Sequence, residues 1–414
     1  YGDHRDLHLS IRRQRQMCIR DSPNPAWTKP PADLKDEDYK QFYRELYPYQ
    51  FEEPLFHIHL NVDYPFNLTG ILYFPKISND LNLQKDRIQL YQNQVFVTDN
   101  VEGIVPEFLG LLKGVIDSPD IPLNVSRSYL QSDASVKKIT NYITRKVADK
   151  LNSIFKNERE NLESKWNDIK VVIEYGMLTE DKFYDKAESF NLYPTVDDKY
   201  FTYEELEKKI KKLQTDKDGN LIILYAQNKD EQYTYIESAK EKGYEVLLLD
   251  SPIIPHLMQK LESKKEKIKF SRVDSDTLEN LIKKDEEVIS KLTDEEKEKL
   301  KPMIETAVEN EKYTVQLEAL DSNSMPFMLA QPEFMRRMKE MQQTGGGAMG
   351  NLPDMYSLIV NTNHELVGKI LNTRTEKKRN SLIKQSIDLA KLSQNNLTGK
   401  DLTEFINRSI DLIK

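Results

Sequence analysis

Hydrophobic and polar positions change their period several times along the chain. Leu55–Tyr64 alternates: Ile58, Leu60, Val62 and Tyr64 face one side, His57, His59, Asn61 and Asp63 the other, which predicts a half-buried strand. Thr69–Phe74, Ile88–Tyr91 and Gln94–Thr98 read as further strands of a mostly antiparallel sheet. Upstream, the proline-rich run 23–38 is expected to be extended and Tyr39–Tyr47 to form a short helix. Val136, Ile139, Ile143, Val147, Leu151 and Ile154 recur at steps of three and four, which predicts a helix laid on the sheet and capped by Asp133. From about Ile173 short apolar runs take over. Asn220–Ala226 and Glu245–Asp250 have the pattern of buried strands, separated by helical Tyr233–Lys242, which stops at Gly243. A helix over Pro255–Leu261 and a strand over Ile268–Arg272 complete a small α/β layer of parallel character.

Residues 283–301 are dominated by Lys, Asp and Glu and read as a solvated helix face. The chain closes on three amphipathic stretches, Met355–Leu371, Ser381–Leu392 and Asp401–Ile413, all read as helices. In the last, Leu402, Phe405, Ile406, Ile410 and Ile413 form one stripe. Such a short helix needs a partner for that stripe, either a second chain or the rest of this one.

Length and charge narrow the classes. The 414 residues suggest two or three domains. No apolar run reaches the ~18 residues of a membrane span. The net charge of −8 gives no global electrostatic case for nucleic acid. Cys18 is the only cysteine, which excludes an internal disulfide framework and a thiolate zinc site. With no signal peptide in view, a reducing, cytoplasmic compartment is expected. Residues 1–22 stand apart. They hold Arg5, Arg12, Arg13, Arg15 and Arg20 and no lysine, whereas basic residues from Pro23 onward are mostly Lys. Asp3, Asp6 and Asp21 argue against a targeting peptide, so this leader reads as foreign sequence joined to a truncated frame.

The motif scan for catalysis is mostly negative, with no phosphate-binding glycine loop and no nucleophile elbow. His364-Glu365 imitates the start of a zinc-protease motif, but Gly368 stands where the second histidine is required. His57 and His59 share a strand face and suit either a metal or solvent, and solvent is the expectation. Arg127 follows the turn-forming run 117–120, with Asn124 before it and Gln131 after it. A loop guanidinium there reads as a bidentate contact to a phosphate, or as a local ion pair beside a helix cap. Methionines crowd the stretch from Met325 to Met355, where Met325, Phe327, Met328, Phe334, Met335, Met338 and Met341 precede the flexible Gly345–Gly347. Soft, unbranched side chains suit varied apolar ligands, though ordinary core is the competing reading.

Longer stretches carry a resemblance. Trp27, Phe42–Pro48 (FYRELYP), His59–Pro75 (HLNVDYPFNLTGILYFP), Val95–Asn100 (VFVTDN), Val105–Arg127, Ile169–Ala187 and Met325–Met338 (MPFMLAQPEFMRRM) closely resemble the ninety-kilodalton heat-shock chaperone family in its bacterial form. The resemblance runs from Pro23 nearly to the end. It implies an α+β, multi-domain chain. Residues 23–172 would be the large α/β segment of a middle domain of αβα layers and 173–272 its small α/β segment. Residues 273–414 would be a mostly helical C-terminal dimerisation and client-contact domain. The family's N-terminal nucleotide-binding domain has no counterpart in this sequence. ATP with Mg2+ would belong to that part, and none would be bound by these residues alone.

By resemblance, Arg127 matches the middle-domain arginine that reaches the γ-phosphate, with Asn124 and Gln131 as neighbours on the catalytic loop. The residue after that arginine is often Glu in the family and is Ser128 here, which removes a local partner. The methionine segment matches a client-contact helix. Leu382, Ile383, Ile387, Leu402, Phe405, Ile406, Ile410 and Ile413 match a homodimer bundle. Implied partners are unfolded or partly folded clients and a bacterial co-chaperone. The final residues lack the acidic pentapeptide that docks tetratricopeptide co-chaperones. Two functions follow as expectations: an ATP-dependent chaperone seen in part, or a stand-alone dimeric client-binding module without catalysis. A small-ligand site in the 173–272 layer is a weaker third, with no glycine-rich turn to support it.

Overall fold

The computed structural model describes residues 25–76, 88–99, 101, 103–122, 133–284, 288–308, 313–345, 355–394 and 396–413. The chain divides into two compact units, Tyr1–Leu192 and Tyr193–Lys414.

In the first unit, the proline-rich lead is not simply extended. It makes two 3-10 turns, Ala26–Thr28 and Pro31–Asp33. Proline's fixed φ suits such turns as well as extended chain. Burial decides here: Trp27 is 1% exposed, and its Nε1 donates to Asp117 at 3.1 Å. Helix α1 (Asp36–Leu46) follows and buries Tyr39, Phe42, Tyr43 and Leu46. The sheet comprises β1 (Phe56–Val62), β2 (Leu68–Phe74), β3 (Gln89–Gln92), β4 (Val95–Thr98) and β5 (Lys113–Asp117), in the order β1-β2-β5-β3-β4. All pairs are antiparallel except β3 with β5. The central strand β5 has no counterpart among the predicted strands. Gly114 interrupts its pattern, and a Cβ there would lie 2.0 Å from the Ile71 carbonyl oxygen, so only glycine permits this β2–β5 approach.

Helix α2 (Ala134–Asn157) lies against β1 with its predicted stripe buried, and Asp133 caps it by accepting from the Ser135 and Val136 amides at 2.8 and 3.0 Å. Helices α3 (Arg159–Ser164), α4 (Trp166–Thr179) and α5 (Asp181–Ala187) close the unit. Residues 172 and 173, where the sequence suggests a division, both lie within α4.

The second unit opens with a hairpin of β6 (Tyr193–Pro194) and β7 (Tyr200–Phe201), then α6 (Tyr203–Ile210). Next come β8 (Leu221–Ala226), α7 (Tyr233–Glu241), β9 (Val246–Leu248), α8 (Ile254–Lys264) and β10 (Ile268–Arg272). The three strands are parallel in the order β10-β8-β9, as the apolar runs predict, and every residue of β8 is buried.

After α9 (Leu278–Leu281), helix α10 (Asp294–Val308) occupies only the later part of the charged run and is not wholly solvated, because Leu300 and Ile304 are buried. Strands β11 (Tyr313–Glu318) and β12 (Phe327–Ala330), helix α11 (Glu333–Gly345) and strand β13 (Tyr356–Asn361) follow. The strands form a sheet β11-β13-β12, with β11 parallel and β12 antiparallel to β13. Met355–Leu371 is therefore not one helix: β13 comes first, then α12 (Glu365–Asn372). Leu358, Ile359 and Val360 are all buried, and a run apolar on both faces has no period by which to tell strand from helix. Helices α13 (Glu376–Ser393) and α14 (Gly399–Ile413) end the chain.

Candidate functional site

Helix α11 carries most of the methionine segment, and it packs the reverse of the usual way. Glu333, Arg336, Arg337 and Glu340 fall on one helix face at steps of three and four. That charged face is turned inward: the side chains of Arg336 and Arg337 are only 4% and 12% exposed. Phe334, on the other face, is 70% exposed, and Met335, Met338 and Met341 are half-buried.

The inward charges meet a matching surface. Tyr225 Oη, on β8, donates to Glu333 Oε1 at 2.8 Å, and the Arg272 backbone N–H donates to Glu333 Oε2 at 3.1 Å. Arg336 bonds Glu333 at 2.5 Å and Glu340 at 2.7 Å. Arg337 reaches Glu333 at 2.6 Å, Glu262 of α8 at 2.8 Å and the Phe270 carbonyl at 2.5 Å. Burial pushes the Glu333 carboxyl up, but Arg336 and Arg337 outweigh it and hold its pKa below the ordinary carboxylate value. Both guanidiniums are likewise held charged despite burial, Arg336 chiefly by Glu333, and Arg337 by Glu262 and Glu333.

Around this helix, Met325 is 38% exposed and Met328 half-buried. Phe327 corrects the expectation. It is 2% exposed and packs in the core with Leu329, Leu358 and Val360, because β12 alternates and Phe327 points to its inner face. Ile383 and Ile387, expected at a dimer face, are likewise 0% and 4% exposed within this chain's own core, with Leu382 packed against it. What α13 shows outward is Leu389 and Leu392, which sequence reasoning did not assign. On α14, Leu402 and Phe405 are half-buried and Ile406 and Ile410 are each 47% exposed. Arg408 of α14 bonds Asp388 of α13, so the two helices are tied by a buried carboxylate. The side chain of Ile413 lies outside the described residues, as do Asn124, Arg127 and Gln131.

Three histidines find structural roles. His57 is not solvent-facing: Tyr39 stacks on it, ring centroids 3.7 Å apart. His59 Nδ1 shares a 2.9 Å hydrogen bond with Tyr39 Oη. Alternation separated the two strand faces but could not show that α1 covers the histidine face. His364 caps α12, its Nδ1 accepting from the Leu366 N–H at 3.0 Å. Among the described residues, no group of three or more His, Cys, Asp or Glu is placed to hold a metal ion. The inward arginines were also missed, although a paired Arg336-Arg337 in a lysine-rich chain is a signal for bidentate pairing.

A sequence model of the family described as Hsp90 protein matches residues 11–408, a stretch that begins inside the leader set apart above. Chaperone protein HtpG of Porphyromonas gingivalis is 54% identical over 89% of this chain and 54% of its own length. HtpG of Bacteroides fragilis is 47% identical over 94% of this chain and 67% of its own length. HtpG of Ruthia magnifica is 30% identical over 94% of this chain and 63% of its own length. The chain thus spans between about half and two-thirds of these relatives.

Proposed function

The chain belongs to the Hsp90 protein family, and from that premise we propose that it is the client-binding and self-associating part of an ATP-driven molecular chaperone. One observation carries the client-binding reading: α11 turns the Arg336 guanidinium inward and leaves Phe334 exposed, with Met335, Met338 and Met341 half-buried on the side away from the charges. Methionine and phenylalanine offer deformable apolar surface without directional demands, which suits unfolded chains of varied sequence. Met325 extends that surface. Self-association rests on Leu389 and Leu392 of α13 and Ile406 and Ile410 of α14, which are exposed together on two helices tied to each other.

In this reading ATP with its magnesium ion is the substrate of a nucleotide-binding domain. Arg127 contributes positive charge to the transferring phosphate, with Asn124 and Gln131 beside it. An arginine of this kind stabilises charge at the transition state and cannot by itself bind nucleotide. A cytoplasmic setting and a bacterial co-chaperone belong to the same proposal. No helix among the described residues is long and apolar enough to cross a membrane.

The test is Met335→Glu together with Met338→Glu. Binding of a fluorescently labelled, permanently unfolded polypeptide should weaken about tenfold, a loss of about 1.4 kcal/mol, while the melting temperature holds. A large fall in melting temperature would instead make these methionines core.

A further inference from the structure

Helices at a protein surface turn their apolar stripe to the core and their charges to water. In α11 that rule is reversed, and something must hold the reversal. We infer that the ion network of Glu333, Arg336 and Arg337 with Tyr225, Glu262 and the Phe270 carbonyl positions α11, fixing its rotation so that the methionine face stays outward for a client. This rests on the reading of α11 as the client-contact helix and names the residues that regulate its presentation.

The surface that receives the helix is held by bonds of its own. Glu262 accepts from the Phe270 backbone N–H at 2.7 Å, so its carboxylate is fixed from behind. The Arg272 guanidinium is held by Asp274 at 2.5 Å and by Gln227 at 2.9 Å, and strand β10 presents the Arg272 backbone N–H to Glu333. Turning α11 by half a turn would take Arg337 from Glu262, and Glu333 and Arg336 from Tyr225. The loss of those charge-assisted bonds opposes that rotation. Arginine suits the task where lysine would not. Arg337 alone bonds Glu333, Glu262 and a carbonyl through separate nitrogens of one plane, which sets a direction as well as an attraction. Arg336, Arg337, Tyr225 and Glu262 are therefore positioning residues, acting through the helix rather than on the client.

Phe334→Trp supplies a reporter on the outer face. The two native tryptophans, Trp27 and Trp166, are 1% and 0% exposed, so iodide quenching reads the new side chain. In the full chain with the network intact, the reporter should be open to iodide. Adding Glu333→Gln, Arg336→Met and Arg337→Met removes three charges of the network, while Glu340 keeps Arg272 at 3.7 Å and the Gln227 amide at 3.3 Å. The reporter's emission should move to shorter wavelength and its quenching constant fall by about half or more. Binding of the labelled unfolded polypeptide should weaken about tenfold, in proportion to the lost outward-facing fraction. Unchanged quenching in a variant that melts cooperatively overturns the inference. If that variant does not fold, Glu262→Gln decides, since its side chain is 25% exposed and the change is mild: reduced quenching supports the network's role and unchanged quenching overturns it. A reporter that responds while Met335→Glu with Met338→Glu leaves binding intact would overturn the client reading and leave the positioning role standing.

Discussion

At the scale of single residues, environment decides what a side chain does. His57 lies under Tyr39, and burial, then repulsion from Lys150, lowers its pKa to about 4, against a smaller opposing pull from Asp36. His59 is lowered as well, chiefly by burial. Both pKa values are depressed below the ordinary ~6.5, so the unfolded chain binds more protons than the folded one between that value and about 4. Stability from this pair is complete above about pH 6.5 and is lost as pH falls toward 4. Thermal melting across that window should show the decline in the first unit, and His57→Gln should flatten it. Gly176 gives a steric counterpart. A Cβ there would sit 2.7 Å from the Phe108 ring and 2.8 Å from that of Phe183. Gly176→Ala should cost about 1–3 kcal/mol by overpacking, read as a lower denaturant midpoint with unchanged slope. None of this was legible in the alternation of Leu55–Tyr64, which separates two faces and says nothing of what covers either.

At the scale of elements, legibility followed periodicity. Helix α2 has one buried face and one wet face, so its stripe could be read in advance to the residue. The small parallel layer was legible too, because buried strands such as β8 are uniformly apolar. Strand β13 was not, since burial on both sides erases the period. Helix α11 was legible as a helix but not in its orientation, because a charge network rather than apolar burial sets the inward face. Helix α13 falls between: its apolar residues were visible, but sequence could not say which of its two apolar faces was internal. The structure gives Ile383 and Ile387 to the core and leaves Leu389 and Leu392 outside. Self-association should therefore depend on the outer face. Ile406→Asp with Ile410→Asp should yield monomer by light scattering, with little change in melting temperature. Deleting α14 is a harsher test, because it also removes Arg408 from Asp388.

At the scale of the whole molecule, the two units carry different parts of the proposal. The first unit contains the sequence around Arg127, and the second contains α11 and the outward faces of α13 and α14. Arg127→Ala, tested with a nucleotide-binding domain present, should lower ATP turnover on the order of 10³-fold while leaving binding of an unfolded polypeptide unchanged. Equal loss of both would mean that the substitution damages the fold.

The two-sidedness of α13 bears on how copies come and go. One side is committed to its own chain through Ile383, Ile387 and Ala390, whatever sits on the other. Under the proposed self-association, a protomer that left its partner would keep that interior, so separation would expose a surface without melting a core. Chains labelled in two separate pools and then mixed should scramble into heterogeneous pairs under conditions where neither pool loses its near-ultraviolet circular dichroism. Pair lifetime would then be set by the outer face alone, open to tuning without touching the stability of either copy.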